Sequence, residues 1–309
     1  MELDSTILIT GASGVLGSAI VNNLQQKGYQ RILKPRHTEL NLLDQMETKR
    51  WLQENHPDYV FHLASVVYGL KGNDINQWKA LTENTVINHN LFSGLSQIKP
   101  KKIFFAGTVA GYPDRSPMPQ KEENFFNGLP HAGEFGYAMS KRHAYGYLKL
   151  LNDKFDIPFC YGIFTNIFGK HDRFNLETGH VIPSLLLKAY LASKYEKSLR
   201  VWGSPETTRD FIYSEDAAEA AVIGIEKAEG LLNIATNKEV SMGRVAEAIV
   251  NSFGGLRVIW ENNQLIGISR RRVDNSRLKA LGWIPRWSFE NAIKSTATWV
   301  VNNFEYLRK

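Results

Sequence analysis

Tyr137-Ala138-Met139-Ser140-Lys141 sets a phenol and an ammonium four residues apart. On a helix the two share one face. A phenol that titrates near ~10 is a poor proton donor and acceptor at neutral pH, unless a nearby cation favours its phenolate. Lys141 is therefore expected to lower the Tyr137 pKa, so that Tyr137 gives a proton to a carbonyl oxygen as hydride reaches the carbon. Many surface helices carry such a pair by chance. Thr108 supplies a further hydroxyl that can donate to the same oxygen, at the carboxyl end of the apolar run 103–106, where α/β sheets bind ligands.

A second constellation stands near the start of the chain. Gly11-Ala12-Ser13-Gly14-Val15-Leu16-Gly17 follows the apolar run Ile7-Leu8-Ile9-Thr10 and opens a segment of helical spacing. Glycines let a backbone turn tightly against a pyrophosphate, and the helix N-terminus offers free N–H groups and partial positive charge. Small residues also serve close helix–strand packing, so it is the position at the first strand–helix turn that gives the pattern its force. About 20 residues on, an acid would bind ribose hydroxyls; this chain has Lys34, Arg36 and His37 instead. Unless they are a solvated basic loop, these cations suit a 2′-phosphate and point to NADPH.

These groups need elements to place them. Leu16, Ile20 and Leu24 share a face over residues 15–27, and Gly28 closes that helix. Strands are expected at 7–10, 31–33, 59–63, 102–106 and within 158–167, with helices over 44–54 and 77–96 between them. Apolar strands alternating with helices make a parallel sheet covered on both faces. Further helices are expected over 181–193, 215–229, 241–253 and 289–302, and residues 112–133 read as a long loop.

Bulk properties narrow the class. With 309 residues, 43% of them hydrophobic, the chain fits one two-lobed enzyme or two small domains. The net charge of +6 is spread along the chain, apart from Arg270-Arg271-Arg272. No basic stripe with interleaved aromatics calls for nucleic acid, and the excess suits an anionic small ligand. A single cysteine, Cys160, permits no internal disulfide and suits a reducing compartment. No signal peptide and no run of ~20 apolar residues is apparent, so a cytoplasmic protein without a membrane partner is expected. No metal is expected.

The order of these motifs resembles the extended short-chain dehydrogenase/reductase family over nearly the whole chain, and within it the GDP-L-fucose synthases. The resemblance is carried by Glu39-Leu40-Asn41-Leu42-Leu43-Asp44, Thr165-Asn166-Ile167-Phe168-Gly169 with His171-Asp172, and Gly179-His180-Val181-Ile182-Pro183. Val201-Trp202-Gly203-Ser204, Arg209-Asp210-Phe211-Ile212 and Leu281-Gly282-Trp283 carry it further. It implies an α/β fold: a Rossmann-type doubly wound parallel sheet with a smaller, mostly C-terminal α/β substrate lobe. Residues 1–166 plus about 211–236 would form the NADP-binding domain, and 167–210 plus 237–309 the nucleotide-sugar-binding lobe. Gly11, Ser13, Gly14, Val15, Leu16, Gly17, Arg36, His37, Leu63 and Ala64 would bind the cofactor. Lys141 would hold the nicotinamide ribose, and Phe164, Asn166 and Ile167 would line the nicotinamide end. Thr108, Val109, Asn166, His180 and Val181 would meet the substrate. Lys188, Arg209 and Arg271 would face its diphosphate, and Trp202 its guanine. Members of the family usually dimerise through two helices per subunit, here near 80–96 and 137–152.

The chain departs from the family at one position. The family's epimerase step uses a cysteine and a histidine on opposite faces of the sugar; His180 matches the histidine, while Ala110 stands at the cysteine's position. Alanine has no proton to exchange. The expectation is a reductase, with Thr108, Tyr137, Lys141 and His180 at its centre, acting on a GDP-linked 4-keto sugar. Epimerase activity would be lost or much reduced. A bifunctional 3,5-epimerase/4-reductase is the nearer alternative, and a non-catalytic NADP-binding regulatory module is the alternative of another class.

Overall fold

A computed structural model describes the chain except residues 70–71, 73–74, 196–197, 262–269 and 308–309. Those from 262 on belong to the expected second lobe and lie outside the described residues.

Five strands form in chain order: β1 (Ile7–Thr10), β2 (Ile32–Leu33), β3 (Tyr59–His62), β4 (Lys102–Thr108) and β5 (Phe159–Phe164). They lie side by side, all parallel, in the order β2-β1-β3-β4-β5, and a sixth strand, Gly230–Ile234, closes the sheet beyond β5. The order reverses between β1 and β3, the kind of point where such sheets bind ligands. Side chains alternate across the sheet. Ile7, Ile9 and Phe104 enter one buried layer, and Leu8, Ile103 and Phe105 the other. That two-sided burial is why the strands read as continuous apolar runs.

Helix α1 (Val15–Gln26) and the helix Ser214–Lys227 cover the first face. The second is covered by α2 (Gln45–Asn55), α3 (Gln77–Ile98) and α4 (Phe135–Phe155). Local chemistry sets their ends. Gly28 adopts φ +92° after α1, and the Asp44 carboxylate accepts from the Glu47 N–H at 2.9 Å to start α2. The long loop is tied to α4 by one side chain. Arg142 donates to the carbonyls of Gly111, Phe125 and Gly128 at 2.7–2.8 Å.

The second lobe has its own core. Helices Val181–Tyr195, Met242–Ser252 and Phe289–Asn302 pack Leu186, Ile249 and Ile293 together. Its strands are short: Ser198–Trp202 pairs with Arg257–Glu261, and Thr208–Arg209 with Val240–Ser241. The stretch 158–167 is also two strands, β5 and Asn166–Phe168, and the latter leaves the main sheet to pair with Phe211–Tyr213. The lobes meet at Asp210, which is fully buried. Its carbonyl accepts from Thr165 Oγ1 at 2.7 Å and Asn166 Nδ2 at 2.9 Å. Its carboxylate accepts from Thr236 Oγ1 and the Asn237 N–H, both at 2.8 Å.

Candidate active site

A cavity of about 1540 Å³ runs from the glycine turn after β1 to the second lobe. At its cofactor end, Gly11 takes φ +70°, and a Cβ there would lie 2.9 Å from the Ala64 nitrogen. A Cβ on Gly17 would meet the Gly11 carbonyl oxygen at 2.2 Å. Only glycine lets the turn, α1 and the end of β3 come this close, which is the cradle a pyrophosphate needs. Arg36 and His37 line the same end and are exposed. The residues present fit a dinucleotide.

Behind the cradle lies a polar chain that sequence reasoning missed. Thr10 Oγ1 accepts from the Leu63 and Ala64 N–H groups at 3.1 and 3.2 Å. With both lone pairs engaged, its own proton goes to His62 Nδ1 at 2.8 Å. His62 Nε2–H then donates to Asn88 Oδ1 at 3.0 Å, and Asn88 Nδ2 to the Ser140 carbonyl at 3.4 Å. The chain thus runs from the cofactor turn to the residue before Lys141. Burial, then the Lys141 charge, pushes His62 down to about 3, so it stays neutral. The signal was a histidine closing an apolar strand, where a polar group must find partners.

Thr108, Tyr137 and Lys141 meet in the middle of the cavity. Thr108 ends β4, and its hydroxyl lies close enough to Tyr137 to act on its phenol. Lys141 Nζ lies 5.7 Å from the Tyr137 ring centre and donates to the Ala106 carbonyl at 2.9 Å. The lowering of the Tyr137 pKa expected from Lys141 is not found. Burial raises the Tyr137 pKa, the Glu134 charge adds to that rise, and the Thr108 hydroxyl opposes it. Lys141 itself is pushed down to about 7 by burial. Desolvation, and not the Lys141 charge, sets the direction for Tyr137. Tyr137 is therefore held protonated.

Ala110 lines the same cavity, with its N–H donating to Thr108 Oγ1 at 3.2 Å. His180 stands before helix Val181–Tyr195, and its carbonyl accepts the Ser184 N–H at 3.0 Å. Its ring is half exposed to the cavity, with Nδ1 3.9 Å from the buried Asp172 carboxylate. Val109, Val181, Leu63, Phe164, Asn166 and Ile167 also fall in the wall. So do Trp202, Arg209 and Arg271. Burial, then repulsion by Arg271, lowers Arg209 to about 10. Lys188 is not in the wall; its ammonium lies 4.1 Å from the Trp202 ring centre. Trp202 Nε1 donates to Glu261 at 3.0 Å, an acid that sequence reasoning did not single out.

A parallel sheet with a glycine cradle, and a hydroxyl–tyrosine–lysine set beside it, define a dinucleotide-dependent oxidoreductase of the extended short-chain type. Residues 7–235 match the NAD dependent epimerase/dehydratase family, and the chain belongs to it. It is 30% identical to a GDP-L-fucose synthase of Dictyostelium discoideum, with 98% of each chain covered. A GDP-L-fucose synthetase of Naegleria fowleri bound to NADP superposes with a TM-score of 0.91 at 27% identity, covering 100% of this chain and 98% of that one. A GDP-mannoheptose C4 reductase of Campylobacter jejuni with NADP bound gives 0.87 at 25%, covering 97% and 99%. Members of the family are NAD(P)-dependent nucleotide-sugar oxidoreductases.

Proposed function

We propose that this chain uses NADPH to reduce the C4 ketone of a GDP-linked 4-keto sugar, a 6-deoxyhexose or a heptose, without appreciable 3,5-epimerisation. The observation that carries this reading is Ala110. It stands in the cavity wall beside Thr108, at the position the resemblance gives to the epimerase cysteine, while the reductive set is intact.

The glycine cradle, Arg36, His37 and Lys141 would hold NADPH, which supplies the hydride. Tyr137, held protonated by burial, gives its proton to the ketone oxygen, and Thr108 orients both oxygens. Lys141, titrating near 7, stands next in line to return a proton. His180, half exposed to the cavity with Nδ1 3.9 Å from Asp172, orients the sugar ring. Arg209 and Arg271 receive the diphosphate, and Trp202, with Lys188 over its ring, forms the guanine end. A homodimer through α3 and α4 belongs to the same reading.

The test is NMR in deuterated water on protein incubated with GDP-4-keto-6-deoxymannose, without and with NADPH. NADPH oxidation without deuterium at C3 or C5 supports the reductase. Deuterium at either carbon would restore the bifunctional epimerase/reductase. If neither occurs, GDP-4-keto-heptoses are assayed next, and cofactor binding without turnover of any keto sugar supports a binding module.

A further inference from the structure

Glu134 immediately precedes α4 without a side-chain capping bond, one turn ahead of Tyr137, in the wall of the same cavity. Its carboxylate lies 3.7 Å from Nη2 of Arg271, longer than a hydrogen bond. Arg271 is only 7% exposed, and its Nε has no hydrogen-bond partner among the described residues. Arg209 lines the wall too, near enough for the two guanidiniums to repel each other. Glu134 thus faces both cations, with Asp114 a weaker influence on Arg271, and a buried donor stays unmet among the described residues. A buried ion pair that contributes to stability closes its hydrogen bonds, because a loose one leaves desolvation uncompensated.

We propose that Glu134 is an exchangeable counter-ion, which neutralises Arg209 and Arg271 until the diphosphate of a nucleoside-diphosphate sugar displaces it. The inference rests on the reading that these two arginines receive the diphosphate. A diphosphate brings several free oxygens and can reach the Nε donor that Glu134 leaves open. Because the nucleotide must first displace an internal anion, its affinity is lower than two buried arginines alone would give. That keeps the product nucleotide from being held too long.

The test is calorimetric titration of GDP into full-length protein saturated with NADP⁺. Glu134→Gln is expected to bind GDP roughly tenfold more tightly than wild type, the scale of coupling between close charges. Its NADP⁺ affinity should be unchanged, and Glu134→Asp should return GDP affinity towards wild type. GDP affinity that is equal or weaker in Glu134→Gln overturns the counter-ion while leaving the diphosphate reading in place. Parallel loss of NADP⁺ and GDP binding marks a structural role and also overturns it. If wild type binds NADP⁺ but no GDP, the diphosphate reading falls, and this inference with it. Arg271→Lys approaches the question from the other side. Lysine lacks the Nε donor, so GDP binding should weaken about tenfold; undiminished binding counts against the exchange.

Discussion

Behind the cofactor end of the cavity, Thr10, His62 and Asn88 form a continuous run of hydrogen bonds. Towards the second lobe, Arg271 keeps an Nε unmet among the described residues, and Glu134 approaches its guanidinium without closing a hydrogen bond. The cofactor wall has its shape before any ligand arrives. The nucleotide wall holds charge that a ligand can satisfy better than the protein does. Between the two sit Thr108 and Tyr137, where each wall delivers its reactant.

The largest effect is expected where the walls meet. Tyr137→Phe keeps the ring and removes the proton, so ketone reduction should fall roughly 10³-fold. NADPH affinity, measured by fluorescence titration, should hold, since the cofactor wall is untouched. The next two variants set the walls against each other in urea unfolding. His62→Leu strands Thr10 and Asn88 and should cost about 2–4 kcal/mol. Arg271→Met removes a loosely paired buried charge and should stay within about 1 kcal/mol of wild type, or gain stability, while GDP binding is lost. Equal losses from both would erase the contrast.

Stability against pH offers a finer probe. His62 in the folded chain titrates at about 3, below its unfolded value of 6.5. The unfolded chain therefore takes up the proton first as pH falls. The stability contributed by neutral His62 is complete above pH 6.5 and is lost on the way down to about 3, by at most ~1.4 kcal/mol per pH unit. Unfolding midpoints for wild type and His62→Gln should converge across that window. Arg36→Ala should shift preference from NADPH towards NADH by about tenfold to hundredfold, read from kcat/KM for each cofactor. The smallest change in rate is expected from Ala110→Cys, which should introduce slow deuterium incorporation into substrate and leave C4 reduction near wild type.

What the sequence disclosed follows the distance between cooperating residues. The glycine turn and the Tyr137–Lys141 pair lie within seven and five consecutive positions, and spacing alone places them. The parallel sheet was legible because double burial makes its strands apolar throughout. The polar chain joins residues 10, 62, 88 and 140, and the Glu134–Arg271 contact spans most of the second half of the chain, so neither leaves a local pattern. The small strands of the second lobe were missed as well. At two to five residues, they are too short to show a period. The depressed tyrosine pKa was expected from charge proximity, but burial decides it, and burial is a property of the folded pocket.

Asp210 gathers three separate stretches of chain at the boundary between the lobes, around positions 165, 210 and 236. Neither lobe can come apart there without exposing the other's unpaired backbone. Melting should therefore be a single cooperative event in calorimetry, with calorimetric and van 't Hoff enthalpies in agreement. A fragment cut between the lobes should not fold as an independent unit.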